Sequence, residues 1–94
     1  MLCLEIWVNG KKLLVAGHKD ALILMADVMY HRADSKQWLN ISAVAGREGI
    51  APTDHMWEAP RLSVGDEVLI ELVEAEAPST ATYETPYGMK MMPP

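Results

Sequence analysis

Leu2, Leu4, Ile6 and Val8 alternate with Cys3, Glu5, Trp7 and Asn9, the two-residue period of a half-buried strand. Asn9-Gly10 follows at once, a pair that tolerates the positive φ angles of a tight type I′ hairpin turn. A loop of only those two residues sets the register. Val8 then faces Lys11, Ile6 faces Leu13 and Leu4 faces Val15 on an apolar side, while Trp7 faces Lys12 and Glu5 faces Leu14 on a mixed one.

Gly17-His18-Lys19-Asp20 interrupts this pattern, and the segment from Ala21 to His31 reads two ways. As a strand it places Leu22, Leu24, Ala26, Val28 and Tyr30 on one face and Ile23, Met25, Asp27, Met29 and His31 on the other. As a helix it has Asp20 as N-cap and good helix formers, but it is apolar on nearly every side except at Asp27. A small protein has little interior in which to bury such a helix, so the strand is favoured; the alternative is an α+β fold. Arg32 to Lys36 predicts a polar turn, and Leu39, Ile41 and Ala43 opposite Trp38, Asn40 and Ser42 predict a further strand and a second hairpin. Residues 46–60 hold Gly46, Gly49, Pro52 and Pro60 among scattered charges, which predicts an irregular loop. Gly65-Asp66 marks a turn, and Val68, Ile70 and Leu72 alternate through a closing strand from Glu67 to Val73. These elements predict an all-β fold, a small five- or six-stranded barrel or sandwich built from hairpins. Residues 1–76 are expected to form the compact domain. Residues 77–94, rich in Pro and Met, read as a flexible tail that packs on the domain or on a partner.

Composition narrows the function. The chain has 94 residues, room for a single core, and a domain this small gains much from a partner or a second copy. Thirteen acidic against eight basic residues give a net charge of -5, which repels phosphate backbones and argues against nucleic-acid binding. A basic protein partner suits it better. The lone Cys3 forms no internal disulfide, the start Met-Leu-Cys-Leu-Glu-Ile lacks the basic opening of a signal peptide, and no apolar run approaches the ~20 residues of a membrane-spanning helix. The expectation is a cytoplasmic protein without a membrane span.

Candidate chemistry is sparse. His18, His31 and His55 lack the short helical spacing of a zinc motif, so no metal and no cofactor is expected. Asp54-His55 with Glu58 is the best acid–base candidate, because imidazole titrates near neutrality and a carboxylate can orient it. No nucleophile elbow, phosphate-binding loop or dinucleotide fingerprint accompanies it, so no catalytic residue is assigned. Three tryptophans stand out in a chain without phenylalanine. Trp7 and Trp38 fall opposite the best apolar rows, and aromatic residues and methionine anchor protein interfaces. Trp7, Trp38, Trp57, Tyr83, Tyr87 and Met89 are therefore the candidate protein-binding residues.

The segments Leu4-Glu5-Ile6-Trp7-Val8-Asn9-Gly10 and Leu62-Ser63-Val64-Gly65-Asp66-Glu67-Val68 together resemble the two ends of short uncharacterised bacterial all-β proteins. That resemblance implies no activity and no site residues. The leading expectation is a non-enzymatic protein-binding module, such as a small bacterial inhibitor, immunity or accessory protein. The alternatives are a small-ligand binder or enzyme with its site in residues 46–60, and a structural homo-oligomer, in its simplest form a homodimer.

Overall fold

A computed structural model describes residues 1–87, which form β1 (Leu2–Val8), β2 (Lys11–Ala16), β3 (Ala21–His31), β4 (Lys36–Arg47), β5 (Ile50–Trp57), β6 (Val68–Glu74) and β7 (Tyr83–Pro86). Two antiparallel sheets, ordered β2-β1-β6 and β3-β4-β5-β7, stack as an open sandwich rather than a closed barrel. The fold is all-β. Among the described residues no helix is long and apolar enough to cross a membrane.

Asn9 (φ 52°) and Gly10 (φ 78°) make the tight turn of the first hairpin, and Val8↔Lys11 and Trp7↔Lys12 pair as the two-residue loop requires. Beyond them the expected register fails. An irregularity between Ile6 and Trp7 shifts the pairing, so that Ile6 faces Leu14, Glu5 faces Val15 and Leu4 faces Ala16. The extra residue of a bulge reverses which β2 side chains point inward. Ala16, not Val15, thereby becomes fully buried.

The segment 21–31 is a strand along its whole length, paired with β4 from Ala21↔Ala45 to His31↔Lys36. Residues 46–60 are not an irregular loop. β4 runs on to Arg47, Gly49 (φ 81°) turns the chain, and β5 returns along β4 through Thr53, Asp54, His55, Met56 and Trp57. Pro52 is tolerated because strand positions that need no ladder N–H accept proline.

The two sequence segments that carried the family resemblance meet in space. Asn9 donates from Nδ2 to Asp66 Oδ1 (3.0 Å), accepts the Glu67 N–H at its own Oδ1 (2.9 Å), and sends its backbone N–H to the Glu67 carbonyl (2.9 Å). Asp66 Oδ2 accepts the Ser63 N–H at 2.7 Å. This clasp ties the first turn to the start of β6, so both motifs serve the fold. The Asn9 amide, helped by the Ser63 N–H, holds the Asp66 carboxyl below its ordinary pKa. A depressed pKa stabilises the folded state above the ordinary carboxylate range, and that contribution is lost as pH falls through the lowered value. Asp66→Asn is therefore expected to be less stable than wild type at neutral pH, and urea unfolding at stepwise lower pH should show the gap closing; a gap that does not change with pH would contradict the clasp.

Ile6, Ala16, Leu39, Ile41, Ala43, Trp57 and Leu62 form the core between the sheets. Each large apolar side chain among them contributes about 1.5–3 kcal/mol by leaving water. The start of the chain is held against the end of β6, with the Met1 ammonium donating to the Ala75 carbonyl at 2.9 Å. Residues after Glu76 do not read as a strand, yet β7 completes the larger sheet beside β5. Its approach is pinned by two contacts. The Val15 N–H donates to Ser79 Oγ (3.0 Å), and Trp57 Nε1 donates to the Ser79 carbonyl (2.8 Å).

Candidate functional site

Two places in this sandwich have chemistry that the fold alone does not require. The first is the outer face of the larger sheet. Leu39, Ile41, Ala43 and Trp57 point into the core, so strand alternation sends their neighbours Trp38, Asn40, Ser42, Val44 and Met56 outward. Pairing then aligns rows across this face. Met25, Ser42, Met56 and Tyr83 form one row, Ile23, Val44, Asp54 and Thr85 a second, and Met29 stands opposite Trp38 in a third. A sheet packed on one side only is expected to show polar residues on the other. Here Ile23, Met25, Met29 and Tyr83 are each more than 40% exposed, while Ser42 and Val44 lie buried beneath them. The charges on this face are of both signs: Asp54 in the second row, Asp27 opposite Asn40, Lys36 opposite His31, and Arg61 bridged to Trp38.

The candidate residues distribute unevenly around this face. Trp38 and Tyr83 lie on it. Trp7 lies on the outer face of the smaller sheet, on the far side of the sandwich, where its Nε1 donates to Glu5 Oε1 at 2.8 Å and Glu5 in turn pairs with Lys12 at 3.5 Å. Trp57 belongs to the core, 5% exposed, and cannot serve as a surface anchor. Tyr87 is exposed beyond β7, and its N–H donates to the Pro52 carbonyl at 3.0 Å. Met89 lies outside the described residues. Sequence reasoning missed Met25 and Met29, although the alternation that placed Trp38 outward also places them once β3 is recognised as a strand.

The second place is a cleft at one end of the sandwich. The imidazoles of His18 and His55 stack with centroids 4.5 Å apart and planes tilted by 39°, between a cavity of about 410 Å³ beside Trp57 and Ser79 and one of about 300 Å³ beside Arg47 and Thr53, with Glu84 lining both. His18 Nδ1 accepts the Asp20 N–H at 3.0 Å, which places the proton of the neutral ring on Nε2. His55 Nε2 lies 2.8 Å from Thr53 Oγ1. His18 was legible only as a loop histidine, because its neighbour comes from a strand distant in sequence.

The structure does not assemble Asp54, His55 and Glu58 into an acid–base group. Asp54 and His55 are adjacent on β5 and point to opposite faces of the sheet, and Glu58 is exposed beyond the strand. His31 pairs instead with Asp34 at 2.9 Å on the surface. Among the described residues no cluster of three or more His, Cys, Asp or Glu could hold a metal ion. Cys3 is fully buried, and its thiol donates to the Met1 carbonyl.

Comparison with known proteins adds no relative: no family model matches the chain, and neither the curated proteins nor the solved structures contain a significant match.

Proposed function

We propose that the chain is a non-enzymatic protein-binding module, of the kind represented by a small bacterial inhibitor, immunity or accessory protein, and that the outer face of the four-stranded sheet is its working surface. The observation that supports this reading is the row Met25, Ser42, Met56, Tyr83 together with the Met29–Trp38 pair, apolar where a one-sided sheet should be polar. Methionine gives such a surface adaptable contacts and Trp38 gives it a rigid anchor. Asp27 and Asp54 on one side and Lys36 and Arg61 on the other border these rows, so the partner it fits is apolar at its centre with charges of both signs around it, and the net charge of -5 favours a basic one. With its single cysteine buried as a free thiol, the module suits a reducing, cytoplasmic compartment.

The test uses the intact chain as immobilised bait beside Trp38→Glu and Met56→Glu, which place a carboxylate in the face without touching the core. A partner retained by wild type is identified, purified and titrated against all three proteins. Each substitution is expected to weaken binding by about tenfold or more, as for a central interface residue. A partner bound equally by all three would remove the outer face from the account.

The His18–His55 cleft favours a second reading, a small-ligand site. It predicts that His55→Ala abolishes binding that Trp38→Glu leaves intact.

A further inference from the structure

The sandwich does not close along the side where β3 and β6 are the edge strands. Ile70 and Leu72 pair with Ile6 and Leu4, and Ile6 belongs to the core, so all four lie on the inner face of the smaller sheet. Ile70 and Leu72 are nevertheless exposed, Leu72 at 66%. Beside Leu72 a groove of about 510 Å³ opens between the start of β1, the end of β6 and the start of β3. β3 lines it with four consecutive residues, Ala21 to Leu24. A regular strand offers a cavity alternate residues only. The register shift between Ala21 and Ile23 breaks that alternation and turns extra apolar surface to the groove.

Among the described residues His18 and Lys19, from the connection between β2 and β3, are the only polar side chains that line this groove. Lys19 makes no ion pair among the described residues, whereas the acids next to the groove in sequence are engaged elsewhere, Glu74 with the Met1 ammonium at 3.4 Å and Asp20 loosely with Arg47 at 4.0 Å. His18 Nδ1 accepts the Asp20 N–H at 3.0 Å, so the neutral ring keeps Nε2–H as a donor. The groove therefore joins an apolar wall to one cation and one N–H donor, the composition of a small-molecule site.

We propose that this groove binds a single-chain carboxylic acid, with the hydrocarbon chain against Leu2, Leu4, Leu22, Leu24 and Leu72 and the carboxylate held by Lys19 and His18. Charge selects the head group. In a chain of net charge -5 an unpaired lysine beside an apolar wall is the exception, and it fits an anion. The leucines select the tail, because they give it apolar surface and no hydrogen-bond partner. This site stands apart from the partner reading, since neither Trp38 nor Met56 lines the groove. It is also distinct from the cleft beside Trp57, because His55 does not line it.

The test is calorimetric titration of the full chain with hexanoate, octanoate and decanoate below their micellar concentrations, and with 1-octanol. Affinity for the acids is expected to rise by up to about fourfold per added methylene, the gain from burying one CH₂. Lys19→Glu replaces an attraction by a repulsion and should weaken octanoate about tenfold while leaving 1-octanol unchanged. Leu72→Glu, at a position exposed enough to accept a charge without unfolding the chain, should weaken both. Decanoate that does not bind overturns the proposal, and so does octanoate binding indifferent to Lys19→Glu. Binding lost in His55→Ala but kept in Leu72→Glu would assign the ligand to the histidine cleft instead. Light scattering of the same proteins covers the remaining occupant: a wild-type dimer that Leu72→Glu dissociates would give the groove to a second copy and overturn the proposal. Trp38→Glu should bind octanoate like wild type, which keeps failure of this site separate from failure of the partner face.

Discussion

Trp57→Ala is expected to lower the melting temperature by about 20 °C or more, which for a domain of this size corresponds to a loss of several kcal/mol. Trp57 joins Ile6, Leu39, Ile41 and Leu62 in the core and is 5% exposed. Truncating a buried tryptophan costs about 3–5 kcal/mol through lost burial and the cavity left behind. Its Nε1 also donates to the Ser79 carbonyl at 2.8 Å, so truncation releases the segment that leads into β7. Small domains have total stabilities toward the lower end of about 5–15 kcal/mol, and the alanine variant should be largely unfolded at physiological temperature. Trp57→Phe keeps most of the volume and removes the donor; it should retain the fold and lose about 1 kcal/mol. Circular dichroism melts of the three proteins check this, and an alanine variant melting within a few degrees of wild type would place Trp57 outside the core.

Gly17→Ala should be the next most damaging, for a reason that has nothing to do with backbone freedom. A Cβ at Gly17 would overlap Cys3 Sγ and press on Cys3 Cβ at 3.3 Å and Pro78 Cβ at 3.4 Å. Cys3 is fully buried and has nowhere to retreat. Overpacking of this kind costs about 1–3 kcal/mol. Removing the sulfur relieves the overlap, so Cys3→Ala should recover part of the loss in the Gly17→Ala background even though it creates a void when made alone. Urea unfolding of the four proteins of this cycle should show a coupling of about 1–2 kcal/mol; additive effects would mean that the two positions do not meet.

Much of the fold was legible because alternation is a local signal. Leu2 to Val8, the Asn9-Gly10 turn, the strand at 21–31 and the strand after Ser35 all follow from side-chain period and turn chemistry. Three features were not legible, each because its cause lies outside the local period. Gly46, Gly49 and Pro52 read as breakers, yet Gly49 is a hairpin turn and Pro52 sits in a strand, so Ala51, Thr53, His55 and Trp57 went unrecognised as an inward-facing row. The bulge beside Ile6 and Trp7 is a packing outcome that shifts half a hairpin by one residue, and nothing in the period of Leu13, Leu14 and Val15 announces it. Tyr83 to Pro86 carries too few residues to show a period and becomes a strand because β5 offers it an edge.

The candidate surface was half legible. Trp38 was visible as an aromatic residue opposite an apolar row and Tyr83 only as an aromatic residue of the C-terminal segment, and both lie on the outer face of the larger sheet. Trp7 and Trp57 shared the same composition signal and went elsewhere, one to the opposite face and one to the core. Which face a tryptophan occupies depends on strand register, and register at Trp57 was hidden by the misread segment before it. The meeting of His18 and His55 joins a turn to a strand far along the chain and leaves no mark on either local pattern.

The most direct test of the central claim is methyl NMR of the methionine-labelled chain, titrated with a purified partner recovered on the wild-type bait. Met25, Met29 and Met56 report the outer face of the larger sheet, and Met1 lines the histidine cleft. The account predicts that the signals of Met25, Met29 and Met56 shift on binding while Met1 stays in place. Movement of Met1 with the other three unchanged would contradict it and transfer the function to the cleft.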